Sequence, residues 1–246
     1  MSQSKSLDRG LAVLKLVLAR GSISVAELTA ALGVPAATVY RHVTALQRAG
    51  FVLRAKQGRL EPGLALLEHF DAPAFRARLA ERARSLVEPL SDQFGLTAHL
   101  GAFDNEMVTY LVKAGATNAL FTVENKQLDG YCSGLGKVLL AHLPQHEVDT
   151  YLAGEPFPRL TRNTITTAAA LRKELRKIVA DGFALDRQEF DEEVFCVAVP
   201  VHGPSGNVTA ALSLSGPPDA FSARQRQGYL AALKGASLAI TSQLTH

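Results

Sequence analysis

The stretch from Ser24 to Gly50 leaves few ways to fold. Ser24-Val25-Ala26-Glu27 has the spacing of a capping box, in which a hydroxyl and a carboxylate three residues apart each satisfy a backbone N–H at a helix start. It predicts a short helix with Leu28 and Leu32 inward. Gly33-Val34-Pro35 is a tight turn, and residues 36–49 predict a further helix with Val39, Val43 and Leu46 buried, stopped by Gly50. Upstream, Ser6 can cap a helix running to Arg20, with Leu7, Leu11, Leu14 and Leu18 on one face. Downstream, Phe51-Val52-Leu53, a polar turn at 54–58 and Arg59-Leu60 predict a short hairpin. Three helices followed by a hairpin is the order of a winged helix-turn-helix.

Charge follows the same division. Residues 1–62 carry nine Lys or Arg and three acids, a net +6, whereas the other 184 residues carry 17 bases and 20 acids, a net −3. A basic front suits a polyanion; a chance fluctuation of charge is the other reading. In the second helix of such a motif, Thr38, Tyr40, Arg41 and Thr44 are left for the DNA groove. Arg41 can read guanine or hold a phosphate, and Thr38 and Tyr40 can donate to phosphates. Arg54, Lys56 and Arg59 put three cations on the hairpin tip, suited to backbone or minor-groove contact. The alternative is a trihelical bundle that contacts protein.

A connecting helix is expected at 63–70, a hinge at Asp71-Ala72-Pro73, and a long amphipathic helix at 76–94. Strands are expected at 96–103, 108–113 and 120–123, helices at 134–143, 145–152 and 168–180, strands at 183–188, 194–202 and 208–215, and a last helix at 223–244. The reading is α+β in two domains: a winged helix-turn-helix at 1–62, a linker helix and hinge at 63–74, and a mixed α/β domain at 75–246. The total of 246 residues, 47% hydrophobic and 20% charged, suits that size and excludes a disordered chain. The longest apolar run, residues 194–201, is far short of a membrane span, and the N-terminus has no apolar signal core. Two cysteines without a CxxC pair call for neither zinc nor a disulfide framework. A cytoplasmic protein with reduced thiols is the expectation.

Two features of the larger part carry chemistry. Gly134-Leu135-Gly136-Lys137-Val138 has the look of a phosphate loop, but the pattern needs Gly where Tyr131 stands and Ser or Thr where Val138 stands. What remains is a glycine-rich helix start whose free N–H groups can hold a carboxylate, or small residues for close packing. The second feature is the hairpin at 194–215. Its turn, Gly203-Pro204-Ser205-Gly206, places Cys196 opposite Ser213, with Ser215 next on the same face. That face reads Cys196, Ala198, Ala211, Ser213, Ser215, while Val197, Val199, Val201, Val208, Ala210, Leu212 and Leu214 form an apolar face. A small, weakly polar strand face can floor a ligand pocket; the alternative is a face turned to water.

Catalysis finds little support. There is no GxSxG elbow, Pro144 interrupts the helix that would align His142 with His146, Asp191-Glu192-Glu193 reads as a solvated turn, and Cys196 has no adjacent base. No catalytic residue, metal ligand or cofactor is expected. An enzyme or accessory protein with an incidental helical front is the rival class.

Together these residues resemble the IclR family of bacterial transcription regulators over almost the whole chain. The resemblance rests on Ala37-Thr38-Val39-Tyr40-Arg41, on Ser133-Gly134-Leu135-Gly136-Lys137-Val138-Leu139-Leu140-Ala141, on the stretch from Gln188 to Val201, and on Ala211-Leu212-Ser213-Leu214-Ser215-Gly216. It implies a GAF/PAS-like effector domain and homodimers, formed through the DNA-binding end, that pair again into a dimer of dimers. It also implies double-stranded operator DNA and a small organic acid as partners, a catabolic operon as target, and no membrane. By motif it implies an effector site at Gly134, Leu135, Asp186, Cys196, Ser213 and Ser215. Ala36 and Ala37 depart from the cation and hydroxyl common there, and residues 118–129 are unlike the usual pattern.

Overall fold

The computed structural model describes residues 5–70, 72–104, 106–115 and 122–245. It divides into two compact units, one built on residues up to Phe75 and the other on residues from Arg76.

The first unit is a winged helix-turn-helix. Helices α1 (Lys5–Arg20), α2 (Val25–Leu32) and α3 (Ala36–Arg48) precede strands β1 (Val52–Arg54) and β2 (Leu60–Pro62), which pair antiparallel, and helix α4 (Leu64–Phe70). The capping box forms: Glu27 N–H donates to Ser24 Oγ at 3.2 Å and Ser24 N–H to the Glu27 carboxylate at 2.7 Å. Gly33 ends α2 with φ 62°, a left-handed conformation that favours glycine. Val13, Val17, Leu28, Val39, Val43, Val52 and Leu60 form the core, with Leu14, Leu32 and Leu46 half-buried against it.

Helix α1 starts at Lys5, so Ser6 lies within it and caps nothing. Its buried stripe is Val13 and Val17, whereas Leu7, Leu11 and Leu18 are 62%, 48% and 46% exposed. The leucine face therefore points away from the core of its own unit. Ala72 and Pro73 open helix α5 (Ala72–Phe94), where a proline in the first helical turn lacks only an N–H that would be unsatisfied anyway. Asp71 lies outside the described residues.

The second unit is a mixed α/β domain. After α5 come β3 (Thr97–Asp104), β4 (Met107–Ala114), β5 (Gln127–Asp129), α6 (Gly134–Ala141), α7 (Gln145–Leu152), α8 (Ala168–Asp181), β6 (Ala184–Arg187), β7 (Phe195–His202), β8 (Val208–Gly216) and α9 (Ala223–Thr245). The strands form one antiparallel sheet in the order β5-β4-β3-β8-β7-β6. The strand expected at 120–123 is not there in its described part. Thr122 and Val123 are irregular, residues 120–121 lie outside the description, and the edge strand is Gln127–Asp129.

One face of the sheet carries Ala98, Leu100, Val197, Val199, Leu212 and Leu214, all buried. Helix α9 is tied to the sheet by Ser237 Oγ, which donates to the Pro200 carbonyl at 2.6 Å. On the other face α6 packs with α7 and α8 through Leu135, Val138, Leu139, Val148, Leu171 and Leu175. Gly136 lets the turn that precedes α6 pass close to the helix, since a Cβ there would lie 2.3 Å from the Gly130 carbonyl oxygen. Among the described residues no helix is long and apolar enough to cross a membrane.

The β7–β8 register differs from expectation. Cys196 pairs with Ser215, and Ala198 with Ser213. The connection at 203–207 is one residue longer than the expected turn, and the ladder slips once more between Val201 and His202, where Thr209 is the extra residue. The two slips add to a shift of two residues, which moves the partners but keeps the side chains at 210–215 on their expected face; Val208, beyond the bulge, pairs with His202 and turns to the opposite face from the one expected.

Candidate functional site

Two regions hold the residues singled out above, one in each unit. On α3, Ala37, Tyr40, Arg41 and Thr44 are exposed at i, i+3, i+4 and i+7, a single helix face, and Thr38 is half-buried beside it. The same stripe continues to exposed Arg48, which the sequence reading left aside. The inward face carries Val39 and Val43 and, unexpectedly, His42, which is buried with Nε2 unpartnered among the described residues. Burial, then the Arg41 and Arg9 charges, hold its imidazole below the ordinary histidine range. In the wing, Arg54 and Lys56 are exposed. Arg59 is not free: its Nε donates to Ser22 Oγ at 2.9 Å, its Nη2 to the Ser22 carbonyl at 2.8 Å, and it lies 3.4 Å from Glu27. Its guanidinium braces the start of α2, which sequence spacing could not reveal.

In the second unit a cavity of about 150 Å³ opens between the sheet and the start of α6. An apolar cavity of that size admits one benzene ring. All six residues expected at an effector site line it: Gly134, Leu135, Asp186, Cys196, Ser213 and Ser215. The sheet explains why. Asp186, Cys196, Ser215 and Thr97 pair in one row across β6, β7, β8 and β3, and Ala198, Ser213 and His99 pair in the next.

The helix start supplies donors. Ser133 caps α6, accepting from Gly136 N–H at 3.1 Å, while the N–H groups of Gly134 and Leu135 occupy first-turn positions with no intrahelical acceptor. Gly134 also serves close packing, for a Cβ there would meet Cys196 Sγ at 2.9 Å. Lys137, the residue that gave the loop its phosphate-binding look, is fully buried and points elsewhere. Its Nζ donates to the Leu185 carbonyl at 2.8 Å and pairs with the Glu189 carboxylate.

Ser213 is fully buried, and its Oγ makes no well-formed hydrogen bond among the described residues; its polar neighbour is the Cys196 thiol, a weak hydrogen-bonding group that leaves the hydroxyl largely unsatisfied. Cys196 is a neutral thiol: burial, then the Asp186 carboxyl, push it up to about 12. Asp186 accepts from Glu189 N–H at 2.7 Å. Burial, then the Glu189 carboxylate, push its pKa up to about 7, so near neutrality it exists in both forms. The sequence reading missed His99, Tyr110 and Thr122. His99 Nε2 lies 2.8 Å from Thr122 Oγ1, and burial, then Lys113, keep its ring neutral with a pKa near 3. At the mouth stands Lys126, an exposed cation among the lining residues. Among the described residues no three His, Cys, Asp or Glu are placed to hold a metal.

Residues 74–242 match the family model described as the bacterial transcriptional regulator IclR C-terminal domain, and residues 6–55 that of the IclR helix-turn-helix domain. An uncharacterized HTH-type transcriptional regulator, RhmR of Escherichia coli (strain K12), is 33% identical over 217 residues, 87% of this chain and 84% of that protein. The HTH-type transcriptional regulator KdgR of the same organism is 31% identical over 250 residues, 98% of this chain and 94% of that protein. Among solved structures, the Thermotoga maritima IclR superposes with a TM-score of 0.65 at 27% identity, over 99% of this chain and 100% of that one.

Proposed function

The chain belongs to the IclR family of bacterial transcriptional regulators, and from there we propose that it binds operator DNA as a cytoplasmic homo-oligomer and changes its grip when a small organic acid enters the cavity of its second unit. Its domains are a DNA-binding unit at 1–62, a linker at 63–74 and an effector-binding and oligomerisation unit at 75–246. DNA is held by Thr38, Tyr40, Arg41 and Thr44 on α3 and by Arg54 and Lys56 in the wing, with Arg59 acting mainly through its brace on α2. The acid is held by the Gly134 and Leu135 N–H groups and by Ser213 and Ser215, beside Cys196 and Asp186.

The observation that carries the ligand half is Ser213. A fully buried hydroxyl left largely unsatisfied calls for an explanation, and this one lines a cavity that begins at a helix N-terminus, where an anion is favoured. A carboxylate satisfies both. Asp186 repels a carboxylate when charged, so it takes a hydroxyl or keto oxygen of the acid or is protonated when the acid is bound. An aromatic, hydroxy or keto acid of one-ring size and control of a catabolic operon complete the reading.

Oligomerisation through the first unit is supported by the exposed Leu7, Leu11 and Leu18. In this reading neither cysteine serves as a nucleophile, because burial holds the Cys196 and Cys132 thiols protonated.

A gel shift with DNA from upstream of its own gene, with and without organic acids, tests the whole. Retardation that an acid alters supports the proposal; none at low salt overturns it in favour of an enzyme or accessory protein. The variant Ser213→Ala with Ser215→Ala, folded but unresponsive to the acid, is expected to separate the ligand half from the DNA half.

A further inference from the structure

Tyr110 reaches the cavity through an irregularity in the sheet. If the pairs Ala98↔Ala114 and Leu100↔Val112 continued unbroken, Tyr110 would stand opposite Ala102, on the face that carries Leu100. Instead the ladder slips between Leu100 and Gly101, Leu111 becomes the extra residue, and Tyr110 pairs with Gly101. A slip of one residue turns a side chain to the other face. Tyr110 therefore joins His99 and Ser213, and its ring lies tilted against His99 with centroids 5.0 Å apart.

The residue is 6% exposed, whereas Lys126 and Gln127 of the same lining are exposed, so the phenol belongs to the buried end of the cavity, near Cys196, Cys132 and Asp186. Burial, above all, keeps it protonated. No described residue hydrogen-bonds to it. It shares the cavity lining with Ser213 Oγ, which is buried without a well-formed hydrogen bond among the described residues. A phenol accepts poorly and donates well, and the neighbouring first-turn N–H groups of α6 can only donate.

We propose that Tyr110 Oη and Ser213 Oγ together hold one acceptor group of the effector, a carboxylate, at the inner end of the cavity. The inference rests on the acid reading above and adds to it a residue and a polarity: the acid enters with its carboxylate inward, and a ligand whose inner end is an ammonium is refused.

The test titrates the full chain by calorimetry with benzoate, 4-hydroxybenzoate, pyruvate and glyoxylate, then takes the tightest probe to Tyr110→Phe. That variant keeps the ring and its packing on His99, which an unchanged unfolding midpoint checks. Affinity is expected to fall about tenfold or more, the effect of removing one hydrogen bond to a charged group. Ser213→Ala falls comparably, and the double variant loses less than the product of the two, because both hold one group. An unchanged affinity in folded Tyr110→Phe overturns this inference and leaves the acid reading standing. Should Tyr110→Phe fail to fold, an unchanged affinity in Ser213→Ala does the same. A wild-type chain that binds none of the four acids overturns the acid reading, and this inference with it.

Discussion

The Lys137 ammonium is fully buried against the Glu189 carboxylate, and the pair joins α6 to the segment that follows β6. The same Glu189 donates its N–H to Asp186 at 2.7 Å, so the ion pair also fixes the carboxyl at the edge of the cavity. Removing one partner strands the other charge in a dry interior, which typically costs about 3–5 kcal/mol, whereas replacing both by apolar groups is often neutral. Lys137→Met alone should therefore lower the unfolding midpoint by about 10 °C, and Lys137→Met with Glu189→Met should recover most of it. Thermal unfolding monitored by circular dichroism checks this. A double variant as unstable as the single one would mean that the pair is not the source of the loss.

The proposed DNA interface makes separable demands on two cations. Arg41 stands on the exposed face of α3 and Lys56 in the wing. Arg41→Ala should lower operator affinity by about 1–3 kcal/mol and flatten the preference for operator over random DNA. Lys56→Ala should weaken both DNAs alike and reduce the salt slope. Titrations at several salt concentrations distinguish them; if Arg41→Ala loses only salt-dependent, non-specific affinity, Arg41 holds a phosphate and reads no base.

How much of this was legible beforehand varies with the range of the interaction. The capping box at Ser24 and Glu27 and the turn at Gly33 are local chemistry, and they form as read. The face shared by Cys196, Ser213 and Ser215 survived a wrong register because alternation along a strand has period two and the error was two. Tyr110 was invisible for the converse reason: a single-residue slip reverses its face, and the one local mark, Gly101 on the partner strand, does not say that Leu111 is the extra residue. Lys137 was misleading in sequence because its carboxylate partner lies 52 residues away. The brace of Arg59 on Ser22 is hidden in the same way, by a separation of 37 residues.

The leucines of α1 bear on assembly. Leu7, Leu11 and Leu18 are exposed while Val13 and Val17, with half-buried Leu14 and Leu16, fill the core side, so the stripe can be altered without touching the fold of its own unit. Replacing Leu7 and Leu11 by Lys should leave the unfolding midpoint of the first unit nearly unchanged and dissociate the oligomer, because charged groups at an apolar interface must be desolvated. Operator affinity should drop with it, since one reading head replaces two. Sedimentation at micromolar concentration is the measurement. A wild-type chain that sediments as a monomer, or a variant that remains an oligomer, removes α1 from the interface.

The last prediction concerns pH. Burial, then the Glu189 carboxylate, raise the Asp186 pKa to about 7, while the Glu189 N–H and Lys137 pull less strongly the other way. An unfolded aspartate titrates near 3.9. The folded chain therefore holds this proton more tightly than the unfolded chain does. The resulting stability is fully present below pH about 4 and is lost as pH rises from there through 7. Asp186→Asn, which cannot ionise, should flatten that part of the stability curve and be the more stable form at pH 8. Binding of an acid beside Asp186 carries the same linkage. A carboxylate raises the pKa of Asp186 further, so the complex takes up protons and affinity should weaken between pH 6 and pH 8. Calorimetry in two buffers of different ionisation enthalpy reads the proton uptake directly. Wild-type binding without uptake at pH 7.5, or an equal pH slope in Asp186→Asn, would remove Asp186 from contact with the acid.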